Sequence, residues 1–425
     1  MQKKFFKNQS KLSQAKSKTS SSLCALCRGT KFLCGKNRCP VMVKFNSKKK
    51  VKQMVDKLSL GGSSPPSIFI GRYGYPKISI GPMIPPLMGD TSVIDTPEMW
   101  LDKSLDEIVD FRSMLIRGKH MVDIYDVEST NKIVEYTKEL ALSKNSVFTE
   151  ALFSKKPRGR IAFYDEAQPH GPAAPLKKFD ISNPKYEQNI EKAYYDTDLK
   201  SREAVFNLYK RGVNISKIQK AFSVGAFGVK KFRKFVPTRW SITAVDSTLG
   251  LELLKKTKHN PWINEYRVYY HDQFDNRWAI LMMPTEWMYE LIEAWYPNTT
   301  WNQYGRGISM FNSYEFYKGR KTYAEIGGCY YSARFAVNEL LTKERRQAGV
   351  LILREAHPGY IMPIGVWNVR ESVRKALKEP YHKFDTLDQA LVFISGKMDI
   401  KLQRWIKNSA VLKDKLYQKR LEDFN

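Results

Sequence analysis

Four of the five cysteines in this chain fall within sixteen residues, Cys24, Cys27, Cys34 and Cys39, spaced C-x2-C-x6-C-x4-C, while Cys329 stands far away. A C-x2-C turn aims two thiolates at one ion, and a second pair nearby closes a tetrahedral shell with no open position. With so few apolar residues around it, such a segment folds only with its ion, so metal binding becomes part of its folding free energy. Structural zinc (Zn2+) is the expected cofactor. An iron-sulfur cluster also takes four thiolates and stays open as an alternative, whereas disulfides are disfavoured in an intracellular chain. Four thiolates on a divalent ion leave about −2 of charge. Arg28, Lys31, Lys36 and Arg38 lie between and beside the cysteines, where they can offset it and lower the thiol pKa values.

Those cations belong to a larger block. Lys and Arg number 71 against 43 acids, a formal net charge of +28, and residues 1–57 hold +15 of it with Asp56 as their single acid. A uniform excess would suit solubility; clustering at one end marks an interaction tail for a polyanion, with nucleic acid first in line. Residues 1–22 are expected to be a disordered basic arm, and Arg28, Lys31, Lys36 and Arg38 are the candidate DNA contacts. The first 22 residues lack the apolar stretch of a secretory signal, and no apolar run approaches the roughly 18 residues that span a bilayer. The expectation is an intracellular, cytoplasmic protein associated with the nucleoid and with no membrane partner.

Beyond a Gly-Gly-Ser-Ser-Pro-Pro break, residues 67–71 and 77–80 read as a hairpin around Arg72-Tyr73-Gly74-Tyr75-Pro76. Residues 81–86 read as a rigid loop, and Asp95-Thr96-Pro97-Glu98 as a helix entry with an early proline. Helices are expected at 104–117, 131–142, 199–211, 285–294, 332–345 and 386–394, and strands at 266–271, 278–283 and 350–353. Mixed elements without a regular βαβ period predict an α+β fold, with an irregular α/β core as the alternative. The organisation expected is an arm at 1–22, a four-cysteine zinc module at 23–50, a large core divided at 60–296 and 297–400, and a helical spacer with a terminal peptide at 401–425.

The hairpin, Gly81-Pro82-Met83, Asp95-Thr96-Pro97-Glu98-Met99-Trp100, His170-Gly171-Pro172-Ala173-Ala174-Pro175-Leu176, Val236-Pro237-Thr238-Arg239-Trp240, Glu293-Ala294-Trp295, and Arg354 with Gly365-Val366-Trp367 follow one another in the order of a known family. Together with the cysteine spacing they resemble the archaeal Nre family of DNA-repair proteins, from about Leu23 to the end. That resemblance implies a DNA-repair factor that binds DNA. The alternative is an enzyme acting on DNA or a nucleotide, a nuclease or nucleotide-dependent transferase, through a pocket in the core.

No Walker A loop, G-x-S-x-G elbow or H-E-x-x-H motif is present, so the sequence leaves open whether the chain is an enzyme. Polar residues in turn-rich segments, Arg72, Asp90, Asp95, Arg112, His170, Arg239 and Asp246, are the pocket candidates. Each has a plainer role as well: Asp95 and Asp246 as helix caps, Arg112 and Arg239 as loop-locking ion pairs, His170 as a solvated loop residue. Two arginines converging on one pocket would favour a phosphate-bearing ligand. Glu286, Glu290 and Glu293 fall on one face of the helix expected at 285–294, a solvated face rather than an acid-base pair.

The last eight residues, Gln418-Lys419-Arg420-Leu421-Glu422-Asp423-Phe424-Asn425, place an aliphatic three residues and an aromatic six residues after a glutamine. The pattern resembles the peptide by which proteins bind the sliding clamp PCNA. There the aliphatic and aromatic side chains plug an apolar pocket and the glutamine hydrogen-bonds beside it. Gln418, Leu421 and Phe424 are the residues that match. Many such peptides carry a second aromatic where this chain has Asn425, which predicts weaker binding. The competing role makes Phe424 the last core contact of a helix running 402–417.

Overall fold

Alternation of apolar and polar residues writes the first sheet. In the strand Val147–Phe153 every second residue is buried, the pattern of a sheet with one covered face. A computed structural model describes residues 24–159, 168–303 and 305–417. Its first sheet contains β1 (Ser59–Ser64), β2 (Ile68–Ile70), β3 (Lys77–Ile84), β4 (Ile116–Asp123), β5 (Val147–Phe153) and β6 (Ala173–Ile181), in the order β1-β5-β6-β4-β3-β2. Neighbours are antiparallel except β4 and β6. The segment expected to be a loop at 81–86 is mostly strand. Gly81 and Pro82 only interrupt the pairing of β3 with β4, which resumes at Met83 opposite Arg117.

Helices α1 (Pro40–Val55), α2 (Leu105–Met114), α3 (Lys132–Leu142), α4 (Gln188–Tyr195), α5 (Ser201–Lys210), α6 (Ile215–Ser223) and α7 (Thr238–Thr257) belong to this half. Of these, α1 and α3 to α7 share one apolar core with the sheet. Helix α2 opens on a reciprocal cap, with Ser104 Oγ accepting from Glu107 N–H and the Glu107 carboxylate accepting from Ser104 N–H. It stops at Met114, short of the expected 117, because Leu115 is extended and the chain enters β4 at Ile116.

The central strands of the second sheet are buried on both sides, which is why the strands at 276–283 and 349–356 read as nearly continuous apolar runs. The sheet consists of β7 (Tyr266–Gln273), β8 (Asn276–Met283), β9 (Met288–Trp295), β10 (Ser309–Glu315), β11 (Gly349–Ala356) and β12 (His382–Phe384), in the order β10-β9-β11-β8-β7-β12. Ile280, Met282, Val350 and Ile352 face α8 (Gly328–Glu344) and α9 (Trp367–Ala376). Their neighbours Leu281, Met283, Leu351 and Leu353 face α10 (Leu387–Lys397), α11 (Leu402–Asn408) and α12 (Ala410–Tyr417). The molecule is therefore mixed α+β with two mixed sheets, joined by α7 packing on α8 and by a cluster of Trp100, Ile108, Trp295, Tyr360 and Trp367.

Two expectations are overturned here. The helix expected at 285–294 is strand β9, with all eight residues buried. Its acids do not share a solvated face. Glu290 accepts from Ser409 Oγ, Ala410 N and Val411 N at 2.5 to 3.0 Å, capping α12, while Glu293 pairs with Arg354 at 2.6 Å. The helix expected at 402–417 is broken at Ser409 by that same cap. Trp405, Val411 and Leu412 are fully buried, so this segment is part of the core rather than an outstretched spacer. No helix among the described residues is long and apolar enough to cross a membrane. Residues 1–22 and the motif Gln418, Leu421 and Phe424 lie outside the described residues.

Candidate functional site

The cysteine segment is a chain of tight turns. Arg28 N–H returns to the Cys24 carbonyl at 3.0 Å and Lys31 N–H to that of Cys27 at 3.3 Å. Gly29 and Gly35 take φ of +73° and +69°, a conformation L side chains resist. Backbone amides of Leu33, Lys31, Gly29 and Phe32 donate to the Cys27 sulfur and lower its pKa. Amide donors around a sulfur suit a metal-bound thiolate, and four thiolates are the chemistry of a structural zinc site, but no three of the four sulfurs lie within 4.8 Å of one another in this structure. The segment docks on the core through cations. Buried Lys36 donates to the Ile361 carbonyl at 3.3 Å, and Arg38 binds both Asp106 oxygens at 2.6 and 2.8 Å. Arg28 and Lys31 are exposed. A groove of about 400 Å³ between α1 and α2 is spanned by Arg38–Asp106 and Lys50–Asp110 pairs, so its charges are already satisfied.

A different cluster holds two buried guanidinium Nε atoms that find no partner among the described residues. Arg112 leaves the last turn of α2 and Arg117 sits two residues into β4. The guanidinium of Arg112 lies over Trp100 at 5.1 Å and that of Arg117 over Phe69 at 4.7 Å. Both Nε atoms are buried without a hydrogen-bond partner among the described residues. Burial pulls the Arg112 pKa down, and burial plus the neighbouring Arg112 pulls Arg117 down to about 10. The carboxylate both feel, Asp95, is held by Lys220 at 2.9 Å and by Ser67 Oγ at 2.5 Å.

His170 joins them. Its Nδ1 is 2.9 Å from the Gly171 carbonyl oxygen. Burial, then the charges of Arg117, Lys48 and Lys119, press its pKa to about 4. Lys48 on α1 is lowered for the same two reasons, burial and Arg117. The loop carrying His170 is pinned where Arg117 N–H meets the Pro172 carbonyl at 2.8 Å. A Cβ on Gly171 would come 2.2 Å from the Leu115 carbonyl oxygen, so the approach requires glycine. Gly365, at φ +122°, belongs to a loop of the second half, and a Cβ placed on it would lie 3.5 Å from Arg112 Nη2.

The structure thus brings together Asp95, Arg112 and His170 of the candidates and adds Arg117, Lys48 and Lys119. Asp95 is no cap; it is an ion-pair acceptor. Among the described residues Arg112 locks no loop through a carboxylate hydrogen bond, and His170 is half-buried rather than fully solvated. The others stand apart. Arg72 lies in the hairpin turn over Tyr73 at 5.4 Å. Asp90 accepts from Ser92 N–H at 2.9 Å and Ser146 Oγ at 3.2 Å, bonds that lower its pKa. Arg239 is exposed on the first turn of α7. Asp246 caps no helix: it is fully buried inside α7, bound by Arg370 Nη1 at 2.9 and 3.1 Å and by Gln219 at 3.0 Å.

Models of the archaeal Nre N-terminal and C-terminal regions match residues 33–302 and 315–424. The chain belongs to the archaeal Nre family. It is 43% identical over 391 residues to the DNA repair protein NreB of Archaeoglobus fulgidus, covering 92% of this chain and 97% of that one. The DNA repair protein NreA of the same organism is 36% identical over 379 residues, 89% and 94% of the two chains. NreA of Haloferax volcanii is 32% identical over 355 residues, 81% and 84%. No solved structure matches the chain. Within this Nre protein the N-terminal match opens at Leu33, between the two cysteine pairs, and the C-terminal match runs into the terminal peptide.

Proposed function

We propose that this protein is a DNA-repair factor that holds DNA through its basic front end and is recruited to the sliding clamp by its tail. The observation that carries the repair reading is 43% identity, along nearly the whole of both chains, to a protein named for DNA repair. DNA binding is supported by the +15 on residues 1–57, with Arg28 and Lys31 exposed beside the cysteines, while Lys36 and Arg38 serve to anchor the segment. Zinc is supported by the four-cysteine spacing and the amides around Cys27. Clamp recruitment is supported by Gln418, Leu421 and Phe424 following directly on a helix anchored in the core.

The test is a titration of duplex DNA at several salt concentrations. Neutralising several phosphates makes log K fall linearly with log salt, with a slope of about −0.9 per phosphate. The full chain is expected to show a steep slope that flattens when residues 1–22 are removed. A flat response in the full chain refutes the DNA-binding reading. Elemental analysis of the reduced, folded protein should find about one zinc per chain.

A further inference from the structure

Among the described residues, Arg112 and Arg117 are cations whose burial is only partly offset. A buried cation needs a carboxylate and a full set of acceptors, or the protein loses stability. Here the charge of Arg112 lowers the pKa of Arg117, each guanidinium has a buried Nε with no partner among the described residues, and the acid both feel is committed to Lys220. Lys48 and Lys119 add charge to the same spot. Each guanidinium lies over an aromatic ring, a contact that leaves its N–H groups as donors. Planar, forked donors match phosphate oxygens two at a time.

We propose that Arg112 and Arg117, with Lys48 beside them and the His170-Gly171 loop as a wall, hold a terminal phosphate group. Charge favours a terminal over an internal phosphate. A terminal phosphate brings close to two negative charges at neutral pH to this cluster of cations, where a backbone diester brings one. The source is a free nucleotide or a phosphorylated DNA end; the site recognises the same chemistry in both. The inference stands apart from the repair reading, since inorganic phosphate alone tests it.

The experiment follows the thermal midpoint of the full-length protein against inorganic phosphate, with chloride holding ionic strength constant. A saturable rise is expected. R117Q and R112Q should each lose at least tenfold in phosphate affinity, and their phosphate-free midpoints should equal or exceed wild type, because an uncompensated cation has gone. R117K keeps the charge without the fork; it should fold as wild type and bind phosphate at an intermediate level, which preserves the test if a glutamine variant fails to fold. Absence of a saturable phosphate effect in the wild type, or equal binding by wild type, R117Q and R117K, overturns the proposal. Competition then assigns the source. A 5′-phosphorylated oligonucleotide that competes where its 5′-hydroxyl twin does not identifies a DNA end, and a mononucleotide competing alone identifies a free nucleotide. Equal competition by both oligonucleotides overturns the terminal-phosphate assignment.

Discussion

At the scale of single residues, the molecule separates charges that hold the fold from charges left over. Asp246 and Arg370 are both fully buried and bound to each other, so removing one strands the other. Asp246→Ala should cost about 3–5 kcal/mol in urea unfolding, while Arg239→Ala, at an exposed position, should stay within about 0.5 kcal/mol of wild type. His170 behaves in the opposite sense to a paired group. Its folded pKa of about 4 lies below the ordinary 6.5, so between those values the unfolded chain takes up a proton that the folded one refuses. Stability should therefore fall as pH drops through that window, by about 1–3 kcal/mol given the partial exposure, and H170Q should flatten the slope. An unchanged slope in H170Q would mean the proton is refused elsewhere. Turn-rich context named Asp95, Arg112 and His170 among seven candidates, and only the fold shows that these three lie near one another while the other four stand apart. Arg117 was hidden because the helix pattern of α2 continues past its real end, and only the pairing of β4 reveals where it points.

At the scale of elements, local pattern succeeded where a run is cleanly amphipathic or apolar and failed where buried acids interrupt it. The helices α3, α5, α8 and α10 and the strands β7, β8 and β11 fall close to their expected positions, since their periodicity or apolar runs are unambiguous. Strand β9, Met-Tyr-Glu-Leu-Ile-Glu-Ala-Trp, misleads because its two buried acids mimic a polar helix face. Their partners, Arg354 and the start of α12, lie some 60 and 120 residues away, beyond any local window. Glu290→Ala should destabilise the protein by at least about 2 kcal/mol, since it leaves the amides of Ala410 and Val411 and the Ser409 hydroxyl without their acceptor. Trp405→Ala, cutting a side chain that is fully buried under β9 and its neighbours, should cost about 3–5 kcal/mol by chemical denaturation. A chain ending at Tyr417 should melt with the full chain, and one ending at Lys401 should not fold; identical melting of both would contradict the packing of α11 and α12.

At the scale of the whole molecule, two sheets with separate cores are joined by α7 and α8 and by the tryptophans at the seam, and the cysteine segment is strapped across them. Lys36 reaches Ile361 in the second half, Arg38 reaches Asp106 in the first, and Gly35 presses on Asn298. If the cysteines hold the proposed zinc, chelation should loosen more than the front end and lower the midpoint of the whole chain. In the proposed arrangement DNA and clamp attach at opposite ends of the sequence, so each can be removed without disturbing the other. The most direct measurement is binding of the full-length protein to fluorescent DNA and to PCNA together, by sedimentation. The account predicts one complex containing all three, loss of the clamp alone when Gln418 to Asn425 are deleted, and weakened DNA alone when residues 1–22 are deleted. Clamp binding undiminished without the last eight residues, or DNA affinity unchanged without the arm, would contradict it.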